Sequence, residues 1–133
     1  MQWDDTENAG FTTGKPWFYV NSNYKQINVA DQEKDPDSLL NFYREAIRLR
    51  KELPVVRHGS YREYFHRNRW QYVYTREMPG QRLLVVCSYR DRPQKMKTPK
   101  DFPLEKSRKI LGSHPGKGEL LRPYECRVYL LED

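Results

Sequence analysis

The chain has 133 residues, 37% of them hydrophobic and 32% charged, with a formal net charge of +6. That length allows one domain with an appendage at most, and the 10 Tyr, 5 Phe and 3 Trp supply a small core but not a large one. A membrane span is excluded as an expectation, because no apolar run approaches about 20 residues; no signal-peptide pattern opens the sequence, so a cytoplasmic protein with reduced thiols is expected.

The charge is unevenly spread. Residues 1–36 hold six acids against three lysines, a net of −3, so the remainder carries +9. A basic module raises nucleic acid as a partner. Its basic residues alternate with acids and aromatics, as on a solvated surface, and form no stripe. Nucleic acid is therefore not expected, and retention on DNA that falls with salt is the test of it. Cys87 and Cys126 both sit in apolar alternating runs, where buried, inert thiols are expected. The cysteines and His58, His66 and His114 show no close metal-ligand spacing, so neither a metal nor a cofactor is expected.

In chain order, residues 1–36 come first. Asn8, Gly10, Gly14, Pro16, Asn21, Asn23 and Asn28 interrupt any helix or strand, so this stretch reads as a long loop. Its aromatics (Trp3, Phe11, Trp17, Phe18, Tyr19, Tyr24) argue against simple disorder. It reads as a loop built to cover something mostly missing from this chain. Gly10 and Gly14 permit tight turns. They do not form a phosphate loop, since Gly14-Lys15 is followed by Pro16, which has no N–H to offer.

Asp35-Pro-Asp-Ser38 then starts a helix, with Asp and Ser as caps and Pro36 in the first turn. Leu39, Leu40, Tyr43, Ala46, Ile47 and Leu49 make one apolar face. Basic residues crowd the C-terminal half and complement the helix dipole. The expected helix spans about 37–52, and Pro54 ends it.

After the helix the period changes. Residues 61–65 and 70–76 alternate, and Glu77-Met-Pro-Gly-Gln81 is a turn. Residues 82–89 are almost continuously apolar, as in a central strand covered on both faces. Residues 90–104 are a proline-dotted connection, 107–111 a short strand, 114–118 a turn, and 125–131 a closing strand. The predicted fold is mainly β with one α-helix: an antiparallel β-sandwich or open barrel preceded by a long loop.

The segments Met1-Gln-Trp-Asp4, Asn8-Ala-Gly-Phe-Thr12, Pro16-Trp17, Val20-Asn21, Asn23-Tyr24, Ile27-Asn-Val29 and Asp35-Pro-Asp-Ser38 follow one another in a spacing that resembles bacterial α-glucosidases of the α-amylase group. Leu49-Arg-Lys51, Gly59-Ser-Tyr61 and Leu121-Arg-Pro-Tyr-Glu125 continue it. The nearest members by this resemblance are oligo-1,6-glucosidases, with trehalose-6-phosphate hydrolases and dextran glucosidases nearby. The resemblance covers essentially the whole chain and is most specific over its first 51 residues. Ser88-Tyr89 departs from it, standing where an Asn-aromatic pair is common.

The resemblance implies that residues 1–54 are the end of a TIM barrel, comprising the loop after the eighth strand (1–34) and the eighth helix (35–52). Residues 55–133 would then be a C-terminal antiparallel β domain. A barrel needs roughly 200 residues or more, so the chain would be only the C-terminal portion of such an enzyme. The family hydrolyses with retention through an Asp nucleophile, a Glu acid/base and a further Asp on earlier strands. None of those motifs is present, so no catalytic residue is expected and the chain is expected to be inactive alone. Its partner in the parent enzyme would be an α-glucoside oligosaccharide.

Trp3 and Asp4 are the candidates for the substrate rim, since aromatic faces stack on sugars and the C-terminal rim of a barrel is where substrate binds. Trp17 is expected to plug loop against barrel. Self-association through the exposed helix face of Leu39, Leu40, Tyr43 and Ile47, or disorder before residue 35, would follow from the missing barrel. The alternative function is a stand-alone carbohydrate-binding module. It requires a coplanar row of surface aromatics drawn from Tyr61, Tyr64, Trp70, Tyr72 and Tyr74.

Overall fold

The computed structural model describes residues 1–116 and 118–132, and the chain divides into two units, Met1–Glu45 and Ala46 onward. The first unit is not the featureless loop expected from its turn formers. It holds a short helix, α1 (Val29–Lys34), preceded by 3-10 turns at Glu7–Gly10 and Ser22–Lys25. Asn28 explains why six residues suffice for α1. Its Oδ1 accepts from Asp31 N at 2.9 Å, while its Nδ2 donates to Tyr24 O at 3.0 Å and to Asp31 Oδ2 at 2.9 Å.

The next free donors of α1, Val29 N and Ala30 N, reach Gln2 O and Trp3 O, both at 2.9 Å. Helix N-termini leave such donors unpaired, and here the chain's own start supplies the acceptors. Asn28 is buried, so Asn28→Ala is expected to destabilise this unit by about 1–2 kcal/mol. Faster hydrogen exchange at the Val29, Ala30 and Asp31 amides would register it.

α2 (Leu39–Glu52) is the expected long helix, beginning two residues later than expected. Ser38 Oγ accepts from Asn41 N at 3.2 Å and donates to Gln32 O at 2.6 Å. Asn41 Nδ2 donates to Gln32 O and Asp35 O at 2.9 and 2.8 Å, which satisfies carbonyls at the end of α1. Pro54 does not merely end α2. It opens a further helix, α3 (Pro54–His58), in the first-turn position that suits proline. The expectation of one helix is thus corrected to three among the described residues.

Among the described residues of the second unit seven strands follow: β1 (Ser60–Tyr64), β2 (Gln71–Met78), β3 (Gln81–Ser88), β4 (Gln94–Lys95), β5 (Arg108–Gly112), β6 (Leu120–Leu121) and β7 (Cys126–Glu132). Five form one antiparallel sheet in the order β1-β2-β3-β7-β5, and β4 pairs β6 in a second, two-stranded sheet. β3 is central, as its apolar run demands. β2 and β3 are joined through Pro79 and Gly80, with Met78 opposite Gln81. Gly80 sits at φ 76°, a region open to glycine. The expected turn over 114–118 includes Lys117, which lies outside the described residues.

Both faces of β3 are covered. On one, Val73, Leu84, Val86, Tyr129 and Leu131 pack with Phe102 and with Leu121 from the small sheet. On the other, Leu83, Val85 and Leu130 pack under Val55 of α3. The antiparallel sheet is as expected, and its second layer is made of only two short strands and the connection around them.

Candidate functional site

Of the two rim candidates, Asp4 is an anchor. Its Oδ1 accepts from Thr6 Oγ1 at 2.5 Å and from Thr6 N at 3.0 Å. The hydroxyl bond first, and the backbone bond after it, hold the Asp4 carboxyl below its ordinary pKa. A glycosidase acid needs the opposite shift. The same carboxylate lies over Gly10, where an added Cβ would come within 2.5 Å of Asp4 Oδ2 at φ +63°. The Asp4 carboxylate thus occupies the space a side chain at position 10 would need.

Trp3 is held differently. Its N donates to Ala9 O and its O accepts from Ala30 N, both at 2.9 Å. Its indole is half exposed. A fixed backbone with an available ring is the arrangement a sugar-stacking residue needs.

Beside them a cleft of about 320 Å³ is lined by Met1, Gln2, Phe11, Trp17, Phe18 and Tyr19, among others, and Trp3 and Asp4 are not among its lining residues. Trp17, Phe18 and Tyr19 are 86%, 70% and 87% exposed. Trp17 and Phe18 contact each other at 4.3 Å between ring centres. Leu39, Tyr43 and Ile47 of α2 are exposed as well, and Ala9 is the only buried apolar side chain in residues 1–45. Single exposed apolar residues are ordinary, but a set of this size is more than a monomeric surface usually shows.

The second unit does not supply the flat aromatic row of a sugar-binding module. Tyr61, Tyr72 and Tyr74 do share a face: Tyr61 and Tyr72 hydroxyls meet at 2.7 Å. Their rings, however, are tilted by 39° between Tyr61 and Tyr74 and by 47° between Tyr72 and Tyr74. Tyr64 points to the other face and donates to Asp101 at 3.0 Å. Trp70 carries the Arg90 guanidinium 5.1 Å from its ring centre. The tyrosines that alternate on one strand are brought together, but as a tilted cluster.

Some basic residues of this unit lie in ion pairs: Arg62–Asp101, Arg82–Glu77, Lys95–Glu119, Arg108–Glu132 and Arg127–Glu125. Among the described residues no group of three His, Cys, Asp or Glu side chains converges as a metal site would require, and no helix is long and apolar enough to cross a membrane.

The α-amylase catalytic-domain model matches residues 1–59. An oligo-1,6-glucosidase of Halalkalibacterium halodurans is 40% identical over 136 residues, which is 98% of this chain and 24% of that protein. The chain belongs to the α-amylase family. Among solved relatives of this α-amylase-family chain, the isomaltulose synthase of Klebsiella sp. LX3 superposes with a TM-score of 0.87 at 34% identity, over 97% of this chain and 24% of that one. Trehalose-6-phosphate hydrolase of Bacillus licheniformis gives 0.85 at 31% identity, over 99% and 25%. The chain thus spans about a quarter of the length of the curated relatives it matches.

Several family-like positions acquire physical reasons. Gly59 has no room for a side chain: a Cβ there would meet Val55 O at 2.6 Å and Glu77 N at 3.0 Å. Glu125 ends the Leu-Arg-Pro-Tyr-Glu stretch inside the protein, where it grips Arg127. Sequence reading missed Arg76, whose guanidinium caps α3 through Val55 O at 3.2 Å and Gly59 O at 2.7 Å. It also missed the meeting of Cys87 and Cys126, which stand with sulfurs 3.2 Å apart and half-buried, not fully buried as expected. Nothing local signals that meeting, because it depends on which strands pair.

Proposed function

We propose that this chain is the C-terminal portion of an α-glucosidase of the oligo-1,6-glucosidase kind, serving as its closing and accessory part. Residues 1–54 complete the barrel with its last loop and helix, and residues 55–133 form the β domain that buttresses it. The catalytic carboxylates belong to the remainder of the enzyme, whose substrate is an α-glucoside oligosaccharide. Trp3 stands at the rim of that substrate site, with Asp4 fixing the turn beside it.

The observation that carries this reading is the apolar surface of residues 1–45. Trp17, Phe18, Tyr19, Leu39 and Tyr43 are exposed, while the one apolar side chain the same unit buries is Ala9. Such a unit is organised by hydrogen bonds and waits for an apolar cover. The barrel is that cover, and in its absence a second copy takes its place through the face of α2. The two unpaired thiols suit a cytoplasmic parent.

Reassembly tests the proposal. The first three-quarters of the Halalkalibacterium halodurans oligo-1,6-glucosidase is produced separately and mixed with this chain. Neither part releases glucose from isomalto-oligosaccharides alone, and the mixture does. Replacing Trp17 and Phe18 together by serine abolishes the recovery. Glucose release by this chain alone, free of contaminating enzyme, would overturn the assignment of the chemistry to the remainder.

A further inference from the structure

Cys87 of β3 and Cys126 of β7 are register partners in the five-stranded sheet. Three hydrogen bonds define the kind of pair. Ser88 N donates to Glu125 O at 2.8 Å, just beyond the two cysteines, and Ser113 N donates to Cys126 O at 3.0 Å. Cys126 N in turn donates to Ser113 Oγ at 3.0 Å. Cys126 thus directs both backbone groups away from β3, and Cys87 and Cys126 are a non-hydrogen-bonded pair. In such pairs the Cα atoms approach to about 4.5 Å, inside the range of about 4.4–6.8 Å that a disulfide bridges. The side chains already point at each other, with sulfurs 3.2 Å apart.

We propose that Cys87 and Cys126 are an oxidative modification site, a dithiol that closes to a cross-strand disulfide when a small-molecule disulfide such as oxidised glutathione is available. Neither thiol is sealed in the core, and both are half-buried on the face that carries Tyr72 and Tyr74. The order of events follows from the pair's electrostatics. The two sulfurs share one hydrogen bond, and that bond lowers the Cys87 pKa against the effect of burial. Cys126 itself is raised, by that same bond first and by burial next. Cys87 is therefore the first thiolate and the attacking sulfur.

Cys87 Sγ attacks one sulfur of oxidised glutathione. A Cys87–glutathione bond forms and one glutathione thiolate leaves. Cys126 then loses its proton and attacks Cys87 Sγ. The Cys87–Cys126 bond forms and the second glutathione leaves, so two protein thiols are oxidised and one glutathione disulfide is reduced. The bond ties the central strand to its neighbour across a sequence separation of 39 residues.

The test uses the full chain, folded, with excess oxidised glutathione. Both free thiols disappear within the monomer, the mass falls by two hydrogens, and no glutathione is retained. The thermal midpoint rises by roughly 10 °C, and dithiothreitol restores it. In Cys126→Ser the reaction stops at the mixed disulfide on Cys87. Cys87→Ser takes up glutathione at least several-fold more slowly.

The proposal is overturned if the native chain keeps both thiols while the urea-unfolded chain closes. It is overturned equally if oxidation links separate chains, or if the disulfide forms and the midpoint falls.

Discussion

Glu125→Ala is expected to cost the second unit about 3–5 kcal/mol, the usual penalty for leaving one member of a buried ion pair alone. Both side chains are buried, Glu125 at 1% and Arg127 at 3% exposure. Arg127 Nε donates to Glu125 Oε1 at 2.7 Å and Nη2 to Oε2 at 3.1 Å. Glu125 Oε2 also accepts from Arg122 N at 2.7 Å. Arg127 reaches onward to Leu120 O at 2.7 Å and to Gly118 O, so it holds β6 and the segment before it against β7.

Alanine at 125 leaves a guanidinium in the interior without its counter-charge. A domain of this size holds on the order of 4–13 kcal/mol in total, so the loss is a large share of it. Urea unfolding of the wild type, Glu125→Ala, Arg127→Met and the double variant reads the result. A coupling of about 2 kcal/mol is expected between the two positions. Additive losses would assign the cost to the separate backbone bonds.

The same pair gives the chain an acid-sensitive part of its stability. Burial pushes the Glu125 carboxyl up, but the Arg127 side-chain bond, the Arg122 backbone bond and the Arg127 charge outweigh it, and the net shift is downward from 4.5. The folded state therefore binds this proton less tightly than the unfolded chain does. Its contribution is fully present above the ordinary carboxylate range and is lost as pH falls through the lower folded value. The stability difference between wild type and Glu125→Gln should narrow below about pH 4, where the unfolded carboxyl starts to fill.

How much of this was legible depended on how local each cause is. β3 was readable because a buried strand needs apolar residues on both faces, and Leu83, Leu84, Val85 and Val86 are all buried. The hairpin at Pro79-Gly80 was readable because those residues dictate the turn. α1 was hidden, since beyond its Asn28 cap the acceptors for its first two amides lie on Gln2 and Trp3, more than 25 residues earlier. α3 was hidden by an ambiguity of proline, which ends one helix and suits the first turn of another. Asp4 and Trp3 are neighbours in sequence, yet one is tied to Thr6 and the other is presented to solvent. No pattern in the sequence separates those two fates. The exposed Trp17 and its neighbours were legible only as a mismatch, aromatic residues in a segment with no regular backbone to bury them.

Gly59→Ala is the second large effect, expected at about 3 kcal/mol, the upper end of ordinary overpacking. Gly59 follows α3 and precedes β1, with φ −60° and ψ 146°, a conformation any residue adopts. Backbone strain is therefore not the reason for glycine; space is. An added methyl would lie 2.6 Å from Val55 O and 3.0 Å from Glu77 N, and both are backbone atoms that no rotamer change can move.

Relief requires α3 to lift from β2. That shift would loosen the Gly59 N to Val55 O bond of 3.1 Å and the pairing of Ser60 with Glu77. It would also pull Val55 O and Gly59 O away from the Arg76 guanidinium that caps the helix. Val55 is fully buried against Leu83, Val85 and Leu130, so any displacement opens that side of the core as well. Arg76→Lys separates the two causes. Lysine keeps the charge but cannot reach two carbonyls with one planar group, so it should cost less than the glycine change, and the two together should be less than additive. A Gly59→Ala chain as stable as wild type would mean that α3 is not held against β2 as described, and that the Gly-Ser-Tyr motif has no steric origin.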